Sequence, residues 1–283
     1  MAADAREQSR RPRIVALGGG HGLYASLSAL RLLDVDVTAV VTVADDGGSS
    51  GRIRRELGLL PPGDLRMALS ALATGWLAGD SAAAGLPWST VLQHRMGGGG
   101  ALAGHPIGNL LLTGLMELHD DAVTALDAVA DLVGARGRVL PMSAKPLDLM
   151  AEVTSVDPDD AIRSRRIRGQ SAIAATAGRV KSVRLLPDDA PACPEAVQAI
   201  LQADAVILGP GSWFTSVIPH LLVRELADAL TLTDALLITV LNLEPQVGET
   251  DGFSPEEHLQ VLREHCPRLK VDVVIADEDA VLD

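Results

Sequence analysis

Residues Arg13–Leu30 read RIVALGGGHGLYASLSAL. An apolar run of strand length is interrupted by glycines, after which Leu23, Leu27 and Leu30 recur at helical spacing. This order predicts a strand, a tight turn and a helix. The unpaired N–H groups in the first turn of such a helix attract an anion, typically a phosphate. The stretch also satisfies the dinucleotide-binding pattern G-x-G-x-x-G/A, although a tight turn without a ligand has the same sequence signature.

The composition indicates a globular protein with an aliphatic core. Of the 283 residues, 47% are hydrophobic but only 2% are aromatic, so platforms for stacking nucleic-acid bases are nearly absent. Lys and Arg total 24 against 37 Asp and Glu, which gives a net charge of -13 that repels polyanions. We therefore expect no nucleic-acid partner. A small phosphorylated ligand held by glycine loops remains compatible with this charge.

The cysteines and the chain's hydropathy bear on its compartment. Cys193 and Cys266 are far apart and have no C-x-x-C or Cys/His spacing, so neither a disulfide framework nor a structural zinc site is predicted. No apolar run approaches the roughly 20 residues that span a bilayer. Residues 1–12 lack the apolar core of a signal peptide. We expect a cytoplasmic protein without a membrane span, in which residues 1–12 form a disordered tail.

Strand-like runs alternate with helical patterns along the chain. After the first unit, strands are predicted at residues 35–43, 205–208, 236–241 and 271–276. The short crossover between the first two strands predicts parallel neighbours, and the alternation predicts helices on both faces of the sheet. The sequence therefore predicts an α/β fold, a Rossmann-like three-layer sandwich with a mostly parallel sheet and a small antiparallel insertion. We assign residues 13–283 to a single such domain, with a helical and β insertion at about 60–190.

Within the predicted insertion the sequence changes character twice. Asp64 is placed to cap a helix over residues 65–72. Residues 75–104 are rich in Gly and Ala and are predicted to be a mobile loop. Short β-like runs broken by Pro and Gly from residue 137 to residue 186 predict the antiparallel part.

Polar, glycine-bearing loops follow four of the predicted strands: GGGHG, ADDGGSSG, GPGS and NLEPQVGETDG. In an open parallel sheet the carboxyl ends of the strands share one edge, and ligands bind there. Four such loops at one edge predict a ligand site more strongly than any single loop does.

Acidic and hydroxyl side chains dominate the second of these loops. Asp45 and Asp46 could accept hydrogen bonds from ribose, hold Mg²⁺ through its waters, or cap a helix. Ser49 and Ser50 form a small nest of donors. The first glycine loop lacks the G-K-[ST] sequence of a P-loop, so ATP hydrolysis of that type is not expected. These loops show no recognisable catalytic group and no metal site made of protein ligands alone. The one cofactor that we consider is Mg²⁺ bound together with a nucleotide.

Other polar residues allow two interpretations each. His21 either contacts a phosphate or is simply exposed, and His105 is as well suited to packing or capping as to chemistry. Asn109 on an apolar helix is costly unless its amide binds a ligand or braces a loop. Glu249 and Asp251 offer an acid/base or metal pair.

Seven motifs together point to one family: GGGHGL, VTVADDGGSSGRIRRELG, PPGDLRMAL, GHPIGNLLL, RGRVLP, ILGPGSWFTSVIPHLLV and NLEPQVGETDGFSPEEH. The set resembles the YvcK branch of the CofD-like family, the gluconeogenesis factors of UPF0052 type. The resemblance implies a Rossmann-like domain that binds UDP sugars such as UDP-N-acetylglucosamine. It also implies a role in growth on gluconeogenic carbon, cell shape and peptidoglycan precursor supply. CofD itself is a 2-phospho-L-lactate transferase of coenzyme F420 synthesis, so such a transferase is the alternative, and an NAD-dependent oxidoreductase is a weaker third.

The resemblance further implies site residues and partners. Carried over by motif, the residues predicted to line the nucleotide or phosphate site are Gly19, Gly20, Gly22, Asp45, Asp46, Ser49, Ser50, Gly209, Gly211 and Ser212, with Asn109 and Thr215 beside it. His21 stands where relatives commonly have threonine, so an imidazole would replace a hydroxyl there. The expected partners are a nucleotide sugar, a regulated enzyme of amino-sugar synthesis, and a second copy of the chain in a homodimer.

Overall fold

The computed structural model describes residues 10–77, 85–119, 121–154, 164–176, 178–244, 246 and 249–278. The strands in these residues are β1 (Arg13–Gly18), β2 (Asp36–Val41), β3 (Trp76–Leu77), β4 (Leu86–Pro87), β5 (Arg138–Pro141), β6 (Asp148–Thr154), β7 (Ser164–Arg168), β8 (Arg179–Leu186), β9 (Ala205–Leu208), β10 (Leu236–Val240) and β11 (Val273–Ile275).

Helices connect most of these strands. They are α1 (Gly20–Leu30), α2 (Gly48–Leu57), α3 (Pro62–Leu72), α4 (Trp88–Gln93), α5 (Ile107–His119), α6 (Ala122–Leu132), α7 (Gln170–Ala174), α8 (Pro194–Leu201), a π-helix (Trp213–Val217), α9 (Pro219–Leu222), α10 (Arg224–Leu232) and α11 (Pro255–His265). None of the helices in the described ranges is long and apolar enough to cross a membrane.

The central sheet has six strands in the order β5-β2-β1-β9-β10-β11. All neighbouring pairs are parallel, with Arg13 opposite Asp36 at the β1–β2 pair and Ile14 opposite Ala205 at the β1–β9 pair. This is the doubly wound strand order, in which the chain reverses direction across the sheet between β1 and β9. The predicted Rossmann-like α/β fold is confirmed.

Burial on both faces explains why the first strand and helix form. Val15, Ala16 and Leu17 of β1 are all buried, as expected for a parallel strand covered by helices on each side. Leu23 and Leu27 of α1 pack into the same core. A fully buried leucine contributes about 1.5–3 kcal/mol relative to an exposed one, so the leucine stripe fixes α1 against the sheet.

The antiparallel part is a three-stranded sheet in the order β7-β6-β8. Leu149, Ala151 and Val153 of β6 are buried and alternate with half-buried residues, which is the pattern of a sheet with one covered face. Arg54 of α2 and Arg168 of β7 both form ion pairs with Asp148. The Arg54–Asp148 pair joins the antiparallel sheet to α2, whereas the Arg168–Asp148 pair lies within the sheet.

The outer strand of the main sheet corrects one prediction. The run RVLP was expected to open the antiparallel part, but as β5 it pairs in parallel with β2, with Val139 opposite Ala39. Val139 and Leu140 are buried. The strand therefore completes one half of the doubly wound sheet, and the three-stranded antiparallel sheet begins only at Asp148.

Two further local expectations change. The stretch of residues 75–104, which was predicted to be a mobile loop, contains α4. It also contains a hydrogen bond from Met96 N–H to the carbonyl oxygen of His105 at 2.9 Å. Residues 78–84 of this stretch lie outside the described residues. Asp64 does not cap α3, because Pro61 occupies the N-cap position and Asp64 lies in the first turn. Of the predicted tail, residues 1–9 are outside the described residues, and Arg10 forms an ion pair with Asp204 at 2.6 Å.

Candidate functional site

A cavity of about 270 Å³ lies at the carboxyl edge of the central sheet, where the strand order reverses between β1 and β9. The first glycine loop, the GPGS loop and two segments from elsewhere in the chain form its walls. The lining residues are Gly19, Gly20, His21, Gly22, Asp64, Gln170, Ser171, Ala174, Gly211, Ser212, Thr215, Ser216 and Gln246. Its position is the one at which doubly wound folds bind ligands.

Close backbone contact between the two glycine loops sets the cavity's shape. A Cβ on Gly22 would lie 2.2 Å from the carbonyl oxygen of Pro210, so only glycine fits there. Asn242 holds the second loop with two hydrogen bonds, because its Oδ1 accepts from Gly211 N–H at 2.8 Å and its Nδ2 donates to Gly211 O at 3.0 Å. The loops are thus fixed before any ligand arrives, which lowers the entropic cost of binding.

Asp64 is the carboxylate that the cavity exposes. It accepts a hydrogen bond from the backbone N–H of Gly20 and lies close to Asp45 and Arg66. Burial, and next the negative charge of Asp45, raise the pKa of Asp64 to about 7. Burial also raises the pKa of Asp45, whose Oδ1 accepts from Gly47 N–H at 2.9 Å. Two neighbouring carboxylates that resist being charged together are a place where a cation would be stabilised.

Mg²⁺ is the ion that suits this pair. It keeps several waters and needs only one or two carboxylates when a substrate phosphate supplies further oxygens. Within the described residues no group of three or more His, Cys, Asp or Glu side chains could hold a metal ion without such a phosphate. Asp45 and Asp64 therefore fit Mg²⁺ that arrives with a phosphorylated ligand, and not a resident metal centre.

Asp46 binds the antiparallel insertion. Its Oδ1 accepts a hydrogen bond from Ser171 N–H at 2.9 Å. A Cβ on Gly169 would lie 2.1 Å from Asp46 Oδ2, and Gly169 has a φ of 101° that disfavours other residues. The side chain of Gln170 donates to the carbonyl oxygen of Thr215 at 2.9 Å. Helix α7 is thereby held as a wall of the cavity from both sides.

Ser49, His105 and Asn109 form a buried hydrogen-bonded group behind the cavity. Ser49 Oγ lies 2.7 Å from His105 Nδ1 and accepts from Asn109 Nδ2 at 2.9 Å. Burial lowers the pKa of His105. Asn109 Oδ1 is buried and has no hydrogen-bond partner in the described residues. None of the three lines the cavity, so the bracing role anticipated for Asn109 fits its position better than direct ligand contact.

Another wall of the cavity is built on the π-helix. Glu249 is buried and accepts hydrogen bonds from Phe214 N–H at 3.1 Å and from Thr215 Oγ1 at 2.8 Å. Burial raises the pKa of Glu249. Gln246 Nε2 donates to Ser212 Oγ at 3.2 Å, while Gln246 Oε1 is buried without a partner in the described residues. Glu249 thus secures the π-helix.

The predicted site residues divide into two groups. Those that line the cavity are Gly19, Gly20, His21, Gly22, Gly211, Ser212 and Thr215. Those that lie outside the lining are Asp45, Asp46, Ser49, Ser50, Asn109 and Gly209. Among these, the Ser50 side chain forms a hydrogen bond with Asp45, and a Cβ on Gly209 would lie 2.7 Å from the carbonyl oxygen of Val240. Residues of the second group lie behind the lining, where they influence the shape of the cavity and the charge around it.

Sequence reasoning missed six lining residues: Asp64, Gln170, Ser171, Ala174, Ser216 and Gln246. The sequence did mark Asp64, which follows Pro-Pro-Gly in the PPGDLRMAL motif. We interpreted this acid only as a helix cap. No local signal marks Gln170 or Ser171, because they reach the site through the insertion.

The lining is acidic and has no arginine or lysine among the described residues. His21 is its one basic side chain, and it is exposed. Asp64 and the nearby Asp45 would repel a bound diphosphate, and the neighbouring Arg66, whose charge acts on both carboxylates, offsets part of that repulsion. A bound cation or protonation of Asp64 would offset the rest.

Comparisons with known proteins agree with this architecture. The family model described as "2-phospho-L-lactate transferase CofD" matches residues 14–283. A crystal structure of a UPF0052-family protein from Bacillus halodurans superposes with a TM-score of 0.85 at 35% identity, covering 97% of this chain and 83% of that one.

Curated relatives extend over nearly the whole chain. A protein of Mycobacterium leprae named "Putative gluconeogenesis factor" is 58% identical over 95% of this chain and 73% of its own length. A Listeria monocytogenes protein named "Gluconeogenesis factor" is 38% identical over 97% of this chain and 80% of its own length. The chain therefore belongs to the CofD family, among relatives of UPF0052 type that carry the name gluconeogenesis factor.

Proposed function

We propose that this protein is a cytoplasmic gluconeogenesis factor that binds a UDP sugar, UDP-N-acetylglucosamine, and adjusts carbon flow into peptidoglycan precursors and thereby cell shape. The observation that carries the proposal is the preformed cavity at the switch point, walled by two glycine loops. The names of the relatives support the metabolic role. They describe a factor, so the proposal includes no turnover.

The diphosphate is the part of the ligand that matches the cavity best. Backbone N–H groups of the first glycine loop and the first turn of α1 donate to it, as at other helix N-termini. Ser212 adds a hydroxyl donor from the GPGS loop, whereas the Thr215 hydroxyl is already donated to Glu249. A cavity of about 270 Å³ is at the lower end of the range for ligand pockets, so the uridine and the sugar extend beyond it.

Mg²⁺ accompanies the diphosphate in this proposal. Asp45 and Asp64 would hold the ion, whose positive charge would reduce the repulsion between these carboxylates and the ligand. A micromolar complex corresponds to about 8 kcal/mol of binding free energy. Charge-assisted hydrogen bonds contribute about 1.5–3 kcal/mol each. Several of them supply this binding free energy only when the repulsion between the carboxylates and the ligand is removed.

Isothermal titration calorimetry tests the proposal directly. The protein is titrated with UDP-N-acetylglucosamine, GDP and NAD, each with and without Mg²⁺. We expect micromolar binding of the UDP sugar with Mg²⁺ and at least about tenfold weaker binding of GDP and NAD, equivalent to about 1.4 kcal/mol. Absence of UDP-sugar binding under every condition would refute the proposal.

A pair of Gly→Ala variants locates the binding. A Cβ on Gly19 would lie 2.5 Å from Thr42 Cγ2 and 2.6 Å from Asp64 Oδ2, so Gly19→Ala displaces groups at the cavity and should weaken binding. Gly114 in α5 has open space around its Cβ position, which makes Gly114→Ala the matched control. Equal affinities of the two variants would place the ligand elsewhere.

A transferase of a phosphorylated group is the second candidate. The family model names a phospholactate transferase, and the Asp45–Asp64 pair suits the charge that develops at a transferring phosphoryl group. Bound Mg²⁺ would supply that charge stabilisation. Formation of an F420-type product from guanosine-activated phospholactate and a deazaflavin, lost in Asp64→Asn, would favour this candidate over the sensor.

The remaining parts of the proposal concern assembly. The regulator is proposed to act as a homodimer on an enzyme of amino-sugar synthesis. Sedimentation velocity at micromolar concentration distinguishes a dimer from a monomer. Copurification of an amino-sugar enzyme that depends on the UDP sugar would support the partner, and its independence from the sugar would contradict regulation through this site.

A further inference from the structure

The opposite, amino edge of the central sheet carries two clefts that are larger than the carboxyl-edge cavity. Their volumes are about 430 and 660 Å³, and they share Asp36, Thr38 and Arg138 in their linings. The starts of β1, β2 and β5 form their floor. Together we call them the amino-edge cleft, and nothing in the proposed UDP-sugar site uses it.

Arginines concentrate in this cleft. The guanidinium groups that line it are those of Arg11, Arg13, Arg31, Arg136 and Arg138. The carboxylates in the same linings are Asp34, Asp36 and Glu195. An excess of positive charge at one place is unusual for a chain whose net charge is -13, and it favours an anionic ligand.

Two of the five arginines already have carboxylate partners. Arg11 pairs with Asp34 at 2.7 Å, and Arg138 makes a two-pronged contact with Asp127 at 2.9 and 2.6 Å. These pairs are complete without a ligand. They define the rim and do not supply the binding groups.

Of the other three arginines, Arg31 and Arg136 form no ion pair with a carboxylate within the described residues, and Arg13 lies near the carboxylate of Asp204, which accepts its backbone N–H. Arg31 donates to the carbonyl oxygen of Ala73 at 2.9 Å, and Arg13 donates to the side-chain oxygen of Gln202 at 3.2 Å. Arg13 Nε is buried and lacks a hydrogen-bond partner in the described part of the chain. The exposed Arg136 side chain makes no hydrogen bond or ion pair there. Guanidinium groups with unused N–H donors are suited to bind phosphate.

Hydroxyl-binding groups lie beside these arginines. Asp36, Gln198 and Gln202 are exposed on the cleft and Thr38 is half-buried in its floor. Carboxylates accept hydrogen bonds from hydroxyl groups, and amides both donate and accept them. A ligand that carried phosphate alone would leave this half of the cleft unused.

We propose that the amino-edge cleft binds a small phosphorylated polyol of the sugar phosphate class. Arg31 and Arg136 contact its phosphate, Arg13 contributes from the adjoining cleft, and Asp36 with Gln198 binds its hydroxyl groups. Strands β1 and β2 run from this cleft to the UDP-sugar cavity, so the two sites lie at opposite ends of the same strands. Both ligands therefore bind at the same time without competition.

Calorimetry with glucose 6-phosphate, glucose and inorganic phosphate as probes tests the inference. We expect glucose 6-phosphate to bind at submillimolar concentration, inorganic phosphate at least about tenfold more weakly, and glucose not measurably. Arg136→Ala and Arg31→Ala should each weaken glucose 6-phosphate about tenfold, and Arg136→Lys should restore part of the loss. Arg263→Ala, on the exposed surface of α11, is the matched control and should bind like the wild type.

Three outcomes would overturn the inference. They are no binding of glucose 6-phosphate, equal binding by the Arg136→Ala and Arg263→Ala variants, and displacement of glucose 6-phosphate by saturating UDP-N-acetylglucosamine with Mg²⁺. The first two tests do not depend on the UDP-sugar proposal. The Arg136 side chain has no partner among the described residues, so loss of folding does not confound its variants, and circular dichroism checks this for each protein.

Discussion

Ser171 donates its backbone N–H to Oδ1 of Asp46 at 2.9 Å, although 125 residues separate them in the chain. The contact joins the acidic loop after β2 to helix α7 of the antiparallel insertion. Because Ser171 and Gln170 line the cavity, Asp46 acts on the site by positioning one of its walls. This separates its role from that of Asp45, which lies against Asp64.

Replacing Asp46 should therefore loosen the wall and leave the metal-binding pair intact. We expect Asp46→Ala to lower the affinity for UDP-N-acetylglucosamine with Mg²⁺ about tenfold, mainly through faster dissociation. The affinity for Mg²⁺ should change much less. Calorimetry gives the affinity, and hydrogen exchange of the Ser171 amide should accelerate in the variant because its acceptor is lost.

Asp131→Ala provides the control for charge removal. Asp131 is exposed near the end of α6, and its side chain makes no hydrogen bond in the described residues. Its loss should leave both measurements unchanged. If Asp46→Ala weakened Mg²⁺ as strongly as it weakened the UDP sugar, Asp46 would be a ligand to the ion and its positioning role would be wrong.

The raised pKa of Asp64 predicts opposite pH dependences for two kinds of binding. Because this pKa is about 7, Asp64 gains a proton as the pH falls from about 8 to about 6. Protonation removes repulsion, so binding of UDP without Mg²⁺ should strengthen over this range. Mg²⁺ loses a charged ligand over the same range, so the Mg²⁺-dependent part of the affinity should weaken.

Titrations of UDP at about pH 6 and pH 8, with Mg²⁺ and with EDTA, measure both dependences. Asp64→Asn keeps an acceptor for Gly20 N–H but cannot ionise. Its affinity for UDP in EDTA should be nearly the same at the two pH values. A variant that retained the full pH dependence would assign the titration to another group.

The same carboxyl group predicts a change in folding stability. In the folded state its pKa is about 7, above the 3.8 of an ordinary aspartate, so the native state binds the proton more tightly than the unfolded state does. The stability that this proton contributes is fully present below the unfolded pKa and is lost as the pH rises through the folded pKa. A tenfold difference in proton affinity between the two states corresponds to about 1.4 kcal/mol of folding free energy.

Asp64→Asn should therefore stabilise the protein where Asp64 is charged. We expect the free energy of unfolding in urea to rise by about 1–3 kcal/mol at about pH 8 and by much less at about pH 5. A gain of the same size at both pH values would show that burial of the charge is not its cause.

The fold was predictable where the hydrophobic period was strong. Leu23 and Leu27 recur at helical spacing after an apolar strand, and this local pattern predicts a strand followed by a helix. The run RVLP was misassigned because a short β-like run carries no information about which strand it joins. It pairs with residues 38–41 of β2, far away in the chain, and only the assembled sheet brings the two strands together.

The site was predictable as an edge of the sheet but not as a complete set of side chains. Glycine loops after strands mark the edge, because topology alone places strand ends together. Asp64 was hidden, since an acid near the start of a helix has the same sequence signature whether it caps the helix or faces a cavity. Gln170 and Ser171 reach the cavity through tertiary contacts with Thr215 and Asp46, which no local pattern encodes.

The buried group behind the cavity predicts strong coupling between two substitutions. Asn109 donates to Ser49 at 2.9 Å, and Ser49 lies 2.7 Å from His105 Nδ1. We expect Ser49→Ala to reduce the free energy of unfolding by about 1–3 kcal/mol, because it leaves the buried Asn109 Nδ2 and His105 Nδ1 unpaired. Asn109→Ala should cost less, because Ser49 keeps its hydrogen bond to His105. The double variant should lose less than the sum, with an interaction energy of at least about 0.5 kcal/mol.

Urea unfolding of the four proteins completes this cycle, and calorimetry on the same samples separates bracing from ligand contact. If Asn109 braces the loop through Ser49, the affinity for the UDP sugar falls to a similar extent in both single variants and falls little further in the double variant. Additive losses of affinity would instead mean that Asn109 contacts the ligand by itself. Because Asn109 is buried and lies outside the cavity lining, we expect the coupled result.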